Sequence, residues 1–224
     1  MAANSDFVTT GDAARRLGVT IQHVNRLIES GELTRVARGL VERTSVERLL
    51  VARRGGRTRV WAEHTAWAAI ALLSDVRPDW LGPVQASRLR ATLGEVDDPA
   101  DLVTRTRDRA IVRVYAGHPS AVRRLGQDLA ITNTQALGLT ASGDRLDGYL
   151  QADRLDGTVR FFGLRQDSSG TFVIRATDFD FDVVEDLAAN STVLAALDLA
   201  TSLDPRARGL GERALVAALE GFRR

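Results

Sequence analysis

Gln22, His23, Asn25 and Arg26 fall within five consecutive positions of the stretch IQHVNRLIE. Asn and Gln can pair with adenine through two hydrogen bonds, and Arg can do the same with guanine, so these are residue types that read base edges. They interleave with Val24, Leu27 and Ile28, so a helix that buries the apolar three turns the polar four outward. Arg35, Arg38 and Arg43 follow closely, then Arg53, Arg54, Arg57 and Arg59. Cations of that kind supply phosphate contacts, which give affinity without sequence preference. An ordinary helical hairpin would merely solvate the same polar face, so the neighbouring elements have to decide.

Those elements are legible. Ala13, Ala14 and Leu17 form one face of a short helix over residues 11–17, with Thr10 as its N-cap. Gly18 supplies the left-handed turn, Val19 plugs the corner, and Thr20 caps the helix that carries the polar four. Gly31 ends that helix. Residues 33–36 and 40–43 read as two short strands joined through Ala37, Arg38 and Gly39, and Thr44 or Ser45 then caps a third helix holding Val46, Leu49 and Leu50 inward. The order helix, turn, helix, two-stranded wing, helix resembles the winged helix domain of the MerR and excisionase type. That resemblance implies a recognition helix in the major groove, bearing Thr20, Gln22, His23 and Arg26, and a wing bearing Arg35, Arg38 and Arg43 on the backbone or minor groove.

With 224 residues, 44% of them hydrophobic, the chain has room for two domains. The expected division is a winged helix over residues 1–54, a basic linker over 55–60, and a larger mixed α/β domain over 61–224, giving an α+β fold class. RRGGRTR at 53–59 is either a solvated hinge or a basic arm on DNA. Net charge is +5 over residues 1–60 and −4 over 61–224, which puts the nucleic-acid partner at the first end. Arginine supplies every basic residue. Without cysteine, and with only His23, His64 and His118 well apart, no metal site or cofactor is expected. No signal peptide is legible in residues 1–6, and the longest apolar run, 66–73, is too short for a bilayer. A cytoplasmic, nucleoid-associated location is the expectation.

Residues 61–74 form a helix with a broad apolar face, and 84–93 another, with Leu89 and Leu93 inward. A turn is expected at 94–101, strands at 110–115, 146–150 and 171–176, and helices at 119–129, 153–162 and 205–222. Arg105, Arg107 and Arg109 would make a phosphate-binding stripe or a solvated edge if extended. Asp198, and Asp204 before Pro205, read as helix-boundary chemistry, while His118 would cap or orient the helix after Pro119. Catalysis has one candidate. In DFDFD, Asp178, Asp180 and Asp182 would share a face if extended and could hold magnesium, as in a metal-dependent nucleotidyltransferase; an acidic surface edge is the alternative. The expectation is therefore a protein that is not an enzyme.

Five further segments carry a wider resemblance: WAEHTAWAAIALLS, SRLRATL, VTRTRDRA, HPSAVRRLGQDL and VLAALDLATSLDPRARGLGERAL. With the winged helix before them, they are similar to the actinobacterial regulators classed with the AbiEi antitoxins of type IV toxin-antitoxin systems. The resemblance implies a repressor that binds double-stranded DNA repeats at its own promoter, as monomer or homodimer. It also implies a C-terminal domain that counters a nucleotidyltransferase-like toxin, with or without touching it. A stand-alone or excisionase-like repressor is the alternative within the same class.

Overall fold

The winged helix unit begins with a strand that the sequence pattern did not announce. In the computed structural model, which describes residues 6–52, 59–139, 143 and 145–224, β1 (Phe7–Thr9) leads into α1 (Thr10–Leu17) and α2 (Ile21–Glu29). The wing strands β2 (Arg35–Ala37) and β3 (Leu40–Glu42) follow, then α3 (Arg43–Ala52). The small antiparallel sheet runs β1-β3-β2. Its order explains why Thr9, not Thr10, caps α1. The Thr10 N–H is taken by the Gly39 carbonyl at 2.9 Å, and β1 delivers the Thr9 hydroxyl to the Asp12 N–H at 3.0 Å.

Gly18 stands at φ 66°, where a side chain would be strained, and the chain turns in three residues to Thr20, whose hydroxyl accepts from the His23 N–H. Val8, Ala13, Ala14, Val24, Leu27, Leu33, Val41, Val46 and Leu49 then close a core of their own. The third helix starts earlier than expected. Ser45 lies inside it and is buried, donating to the Glu42 carbonyl at 2.8 Å and accepting from the Thr34 N–H at 3.2 Å. Its hydroxyl pins α3 to the wing rather than capping it.

The remainder of the chain joins a helical core to a four-stranded sheet. Helices α4 (Glu63–Leu73), α5 (Pro83–Gly94) and α6 (Pro99–Arg105) come first, followed by a 3-10 turn at Arg107–Arg109 and β4 (Ile111–Ala116). Next are α7 (Ala121–Leu125), a 3-10 turn at Thr134–Leu137, β5 (Leu146–Gln151), a 3-10 turn at Ala152–Arg154 and α8 (Leu155–Phe161). The chain ends with β6 (Arg165–Gln166), β7 (Phe172–Thr177), α9 (Phe181–Asn190), α10 (Thr192–Ala200) and α11 (Pro205–Phe222). Strand order is β5-β7-β4-β6, with β5 and β7 parallel and the other pairs antiparallel. The class is α+β.

Several local expectations change. Residues 99–105 are a helix, not part of a turn, because Asp98 accepts from the Ala100 N–H and Pro99 opens the first turn. The helix expected at 119–129 stops at Leu125, since Ala130 is drawn into a two-bond bridge with Tyr149. His118 does orient its start, through bonds to Ser120. Over 153–162 the expected helix divides into the 3-10 turn and α8. Helices α9 and α10 were not foreseen. DFDFD is not extended: Asp178 donates its N–H to Glu63, Asp180 caps α9 and Asp182 lies in its first turn, so the three carboxylates share no strand face. Among the described residues no cluster of three or more His, Asp or Glu could hold a metal ion.

The largest correction concerns Arg109 and Asp198. Arg105 ends α6 and Arg109 is buried, so no arginine stripe forms, and Asp198 sits within α10, not at a boundary. Asp198 Oδ1 accepts from Arg109 Nη2 at 2.7 Å and from the Tyr149 hydroxyl at 2.8 Å, and lies 3.3 Å from Arg175 Nη1. Arg175 also grips Asp147 through two bonds of 2.7 and 2.9 Å. Burial opposes the charges on Arg109 and Arg175, yet Tyr149, Asp198 and Asp147 more than offset it and hold both guanidinium pKa values above the ordinary range.

Burial pushes the Tyr149 phenol well above its usual value, with the neighbouring arginines pulling the other way. The phenol therefore stays protonated in the fold at pH values where the unfolded chain ionises it. Stability that depends on Tyr149 is complete below about pH 10 and is lost as pH rises toward the folded value. Denaturant midpoints followed through the alkaline range should fall more steeply for the native chain than for Tyr149→Phe, which lacks the titrating group.

Candidate nucleic-acid interface

Helix α2 presents its polar residues unequally. Val24 and Leu27 are fully packed into the small core, which leaves Gln22 and Arg26, one turn apart, on the outermost line. His23 and Asn25 flank that line and are half-buried, and Thr20 is engaged in capping. Two residues of types that can pair with base edges are thus set at i and i+4 on a helix whose opposite face is locked. Ile21, 54% exposed at the first turn, joins them and suits contact with a thymine methyl group. The sequence pattern gives no signal for this, because Ile21, Val24 and Ile28 fall at i, i+3 and i+7 and so share the apolar stripe. Glu29, exposed one turn beyond Arg26, bounds the surface that phosphate tolerates.

The wing divides its arginines. Arg35 and Arg38 are exposed, on β2 and on the turn, and β2 is an edge strand with all three residues in solvent. Arg43 is not on the wing: it opens α3, its N–H held by the Asp6 carbonyl. There it lines a groove with Arg15, Arg16, Phe7 and Leu40, where Arg15 is also paired with Asp12. Within residues 6–52 seven arginines face six carboxylates, so the positive excess of this end resides in the arginines of 53–59. Arg59 is exposed. Arg53, Arg54 and Arg57, and with them most of the expected linker, lie outside the described residues.

The far end of α2 is held by the four-stranded sheet. Arg113 on β4 donates from Nη2 to the Ser30 carbonyl at 3.2 Å, placing a cation at the C-terminus of the helix, where the backbone dipole favours it. A Cβ on Gly31, which stands at φ 78°, would fall 2.1 Å from Arg113 Nη1, so glycine is required for this approach. Arg48 on α3 reaches the Ser168 carbonyl at 3.0 Å and makes a second tie. Neither contact has a sequence signal, because the partners are 83 and 120 residues apart.

No helix among the described residues is long and apolar enough to cross a membrane. No curated protein and no solved structure matches the chain. Residues 2–44, which reach from before β1 to the start of α3, match the family model described as transcriptional regulator, AbiEi antitoxin.

Proposed function

We propose that the protein is a non-enzymatic, sequence-specific DNA-binding regulator that represses its own operon as the antitoxin of a type IV toxin-antitoxin pair. The observation that carries this reading is the outward line of α2. Gln22 in the first turn and Arg26 in the last stand one turn apart in solvent, and the first turn is where recognition helices of this kind contact bases. The exposed Arg35 and Arg38 would hold the backbone beside it. The match over residues 2–44 supports the regulator and antitoxin class. On this reading the second domain counters a nucleotidyltransferase-like toxin, and no cofactor takes part in either role.

The test is the affinity of the full chain for DNA from upstream of its own gene, set against unrelated DNA over a range of salt. Preference for the upstream fragment, with affinity falling steeply as salt rises, is the expected result. Weak and equal binding to both fragments would sink the reading and leave α2 as a protein-binding surface.

A further inference from the structure

Between α3 of the winged helix and the sheet of the second domain lies a cavity of about 840 Å³, within the range of small-molecule sites and at a junction of two units where such sites concentrate. Its lining sets five arginines, Arg48, Arg107, Arg109, Arg145 and Arg175, against five carboxylates, Glu32, Asp108, Asp147, Asp198 and Asp204, so the pairing of individual groups matters more than their sum. Arg48, Arg145 and Arg175 all line it, but the carboxylate of Asp147 is committed to Arg175 by two hydrogen bonds. Among the described residues neither Arg48 nor Arg145 has an ion-pair partner. Burial lowers the Arg48 pKa, and the charges of Arg175 and Arg145 add to the effect against opposition from Asp147 and Glu42.

Ser168 is a second, independent sign. It is 3% exposed and lines the same cavity; its carbonyl takes Arg48, whereas its hydroxyl has no hydrogen-bond partner. A buried hydroxyl left in that state is costly and rare, and an acceptor oxygen in the cavity would relieve it. On the walls, Ile111 and Ile131 remain 44% and 45% exposed, an apolar lining beside the cationic end.

We propose that this cavity binds a small amphipathic acid, its carboxylate or phosphate held by Arg48, Arg145 and the Ser168 hydroxyl and its apolar body lying against Ile111 and Ile131. The ligand would touch α3 and the sheet together. The inference does not depend on DNA binding, and its test uses the free protein.

Octanoate and octyl phosphate are titrated calorimetrically into the full chain, with 1-octanol as the uncharged control. Saturable binding of one or both anions at one site, and weaker or no binding of octanol, is expected; which anion binds tighter separates a carboxylate site from a phosphate site. Arg145→Gln changes an exposed side chain and Ser168→Ala removes only the unpaired hydroxyl, so both should melt with the native protein. Each should weaken anion binding, Arg145→Gln by about tenfold or more, as loss of a charge-assisted hydrogen bond requires. Absence of saturable binding at millimolar anion, octanol binding as tightly as the anions, or unchanged affinity in both variants would overturn the proposal.

Discussion

Asp198→Ala is expected to destabilise the second domain by about 3–5 kcal/mol, the cost of leaving a buried charge without its partner. The side chain is 4% exposed within α10 and is the common acceptor for Arg109, Arg175 and Tyr149, with Thr132 3.3 Å from its other oxygen. Arg175 keeps Asp147 after the change, but Arg109 keeps only the Tyr149 hydroxyl and the Thr106 carbonyl, neither of them charged. Placing Arg109→Met on the Asp198→Ala background should therefore recover part of the loss. Urea unfolding followed by tryptophan emission reads both effects, since Trp67 donates its indole N–H to the Arg109 carbonyl. A midpoint that hardly moves in Asp198→Ala would mean the network contributes little. The winged helix closes its own core, so DNA affinity measured below the transition should be retained.

Arg26→Ala is expected to cost about 1–3 kcal/mol of discrimination between the preferred and unrelated DNA, roughly fivefold to 150-fold in relative affinity. Arg26 is exposed, makes no ion pair among the described residues, and stands one turn from Gln22, so its removal leaves the fold of α2 intact while taking away a bidentate donor. Arg38→Ala is the contrast. On the proposed reading Arg38 is a wing residue placed for phosphate, so its loss should weaken binding to every fragment alike and reduce the dependence of log affinity on log salt by about one unit. Competition binding at two salt concentrations separates the two patterns. Equal losses on both DNAs in Arg26→Ala would assign it to the backbone and move sequence reading to Gln22 or Asn25.

Local chemistry explains what could be read in advance. The α1–α2 turn, the second helix and the wing all follow from caps, glycines and apolar spacing within a few residues, and they agree with one another. The error in the α1 cap arose because β1 is only three residues long and gains its identity from pairing with β3. The helix at 99–105 does carry a local signal, since Asp98 before Pro99 repeats the cap chemistry of Asp204 before Pro205. DFDFD is ambiguous in sequence, because five alternating residues fit a strand as well as a helix cap. The contacts that turned it were tertiary, with Phe179 stacked 5.8 Å from Trp67 and edge-on 5.1 Å from Trp80.

The sequence by itself determined the winged helix, the outward placement of Gln22 and Arg26, the α+β class and the match with AbiEi antitoxins over residues 2–44. These rest on helical period and on capping, forces that act within one or two turns. Only the tertiary structure decided that Arg109 and Asp198 meet in the core, that Arg113 holds the end of α2, and that Arg48, Arg145 and Ser168 share a cavity. Each of those arrangements joins charged or polar groups far apart along the chain. Such groups look alike in sequence whether they end in solvent or in the core, because the free energy that separates the two outcomes comes from burial and from partners that folding alone brings within reach.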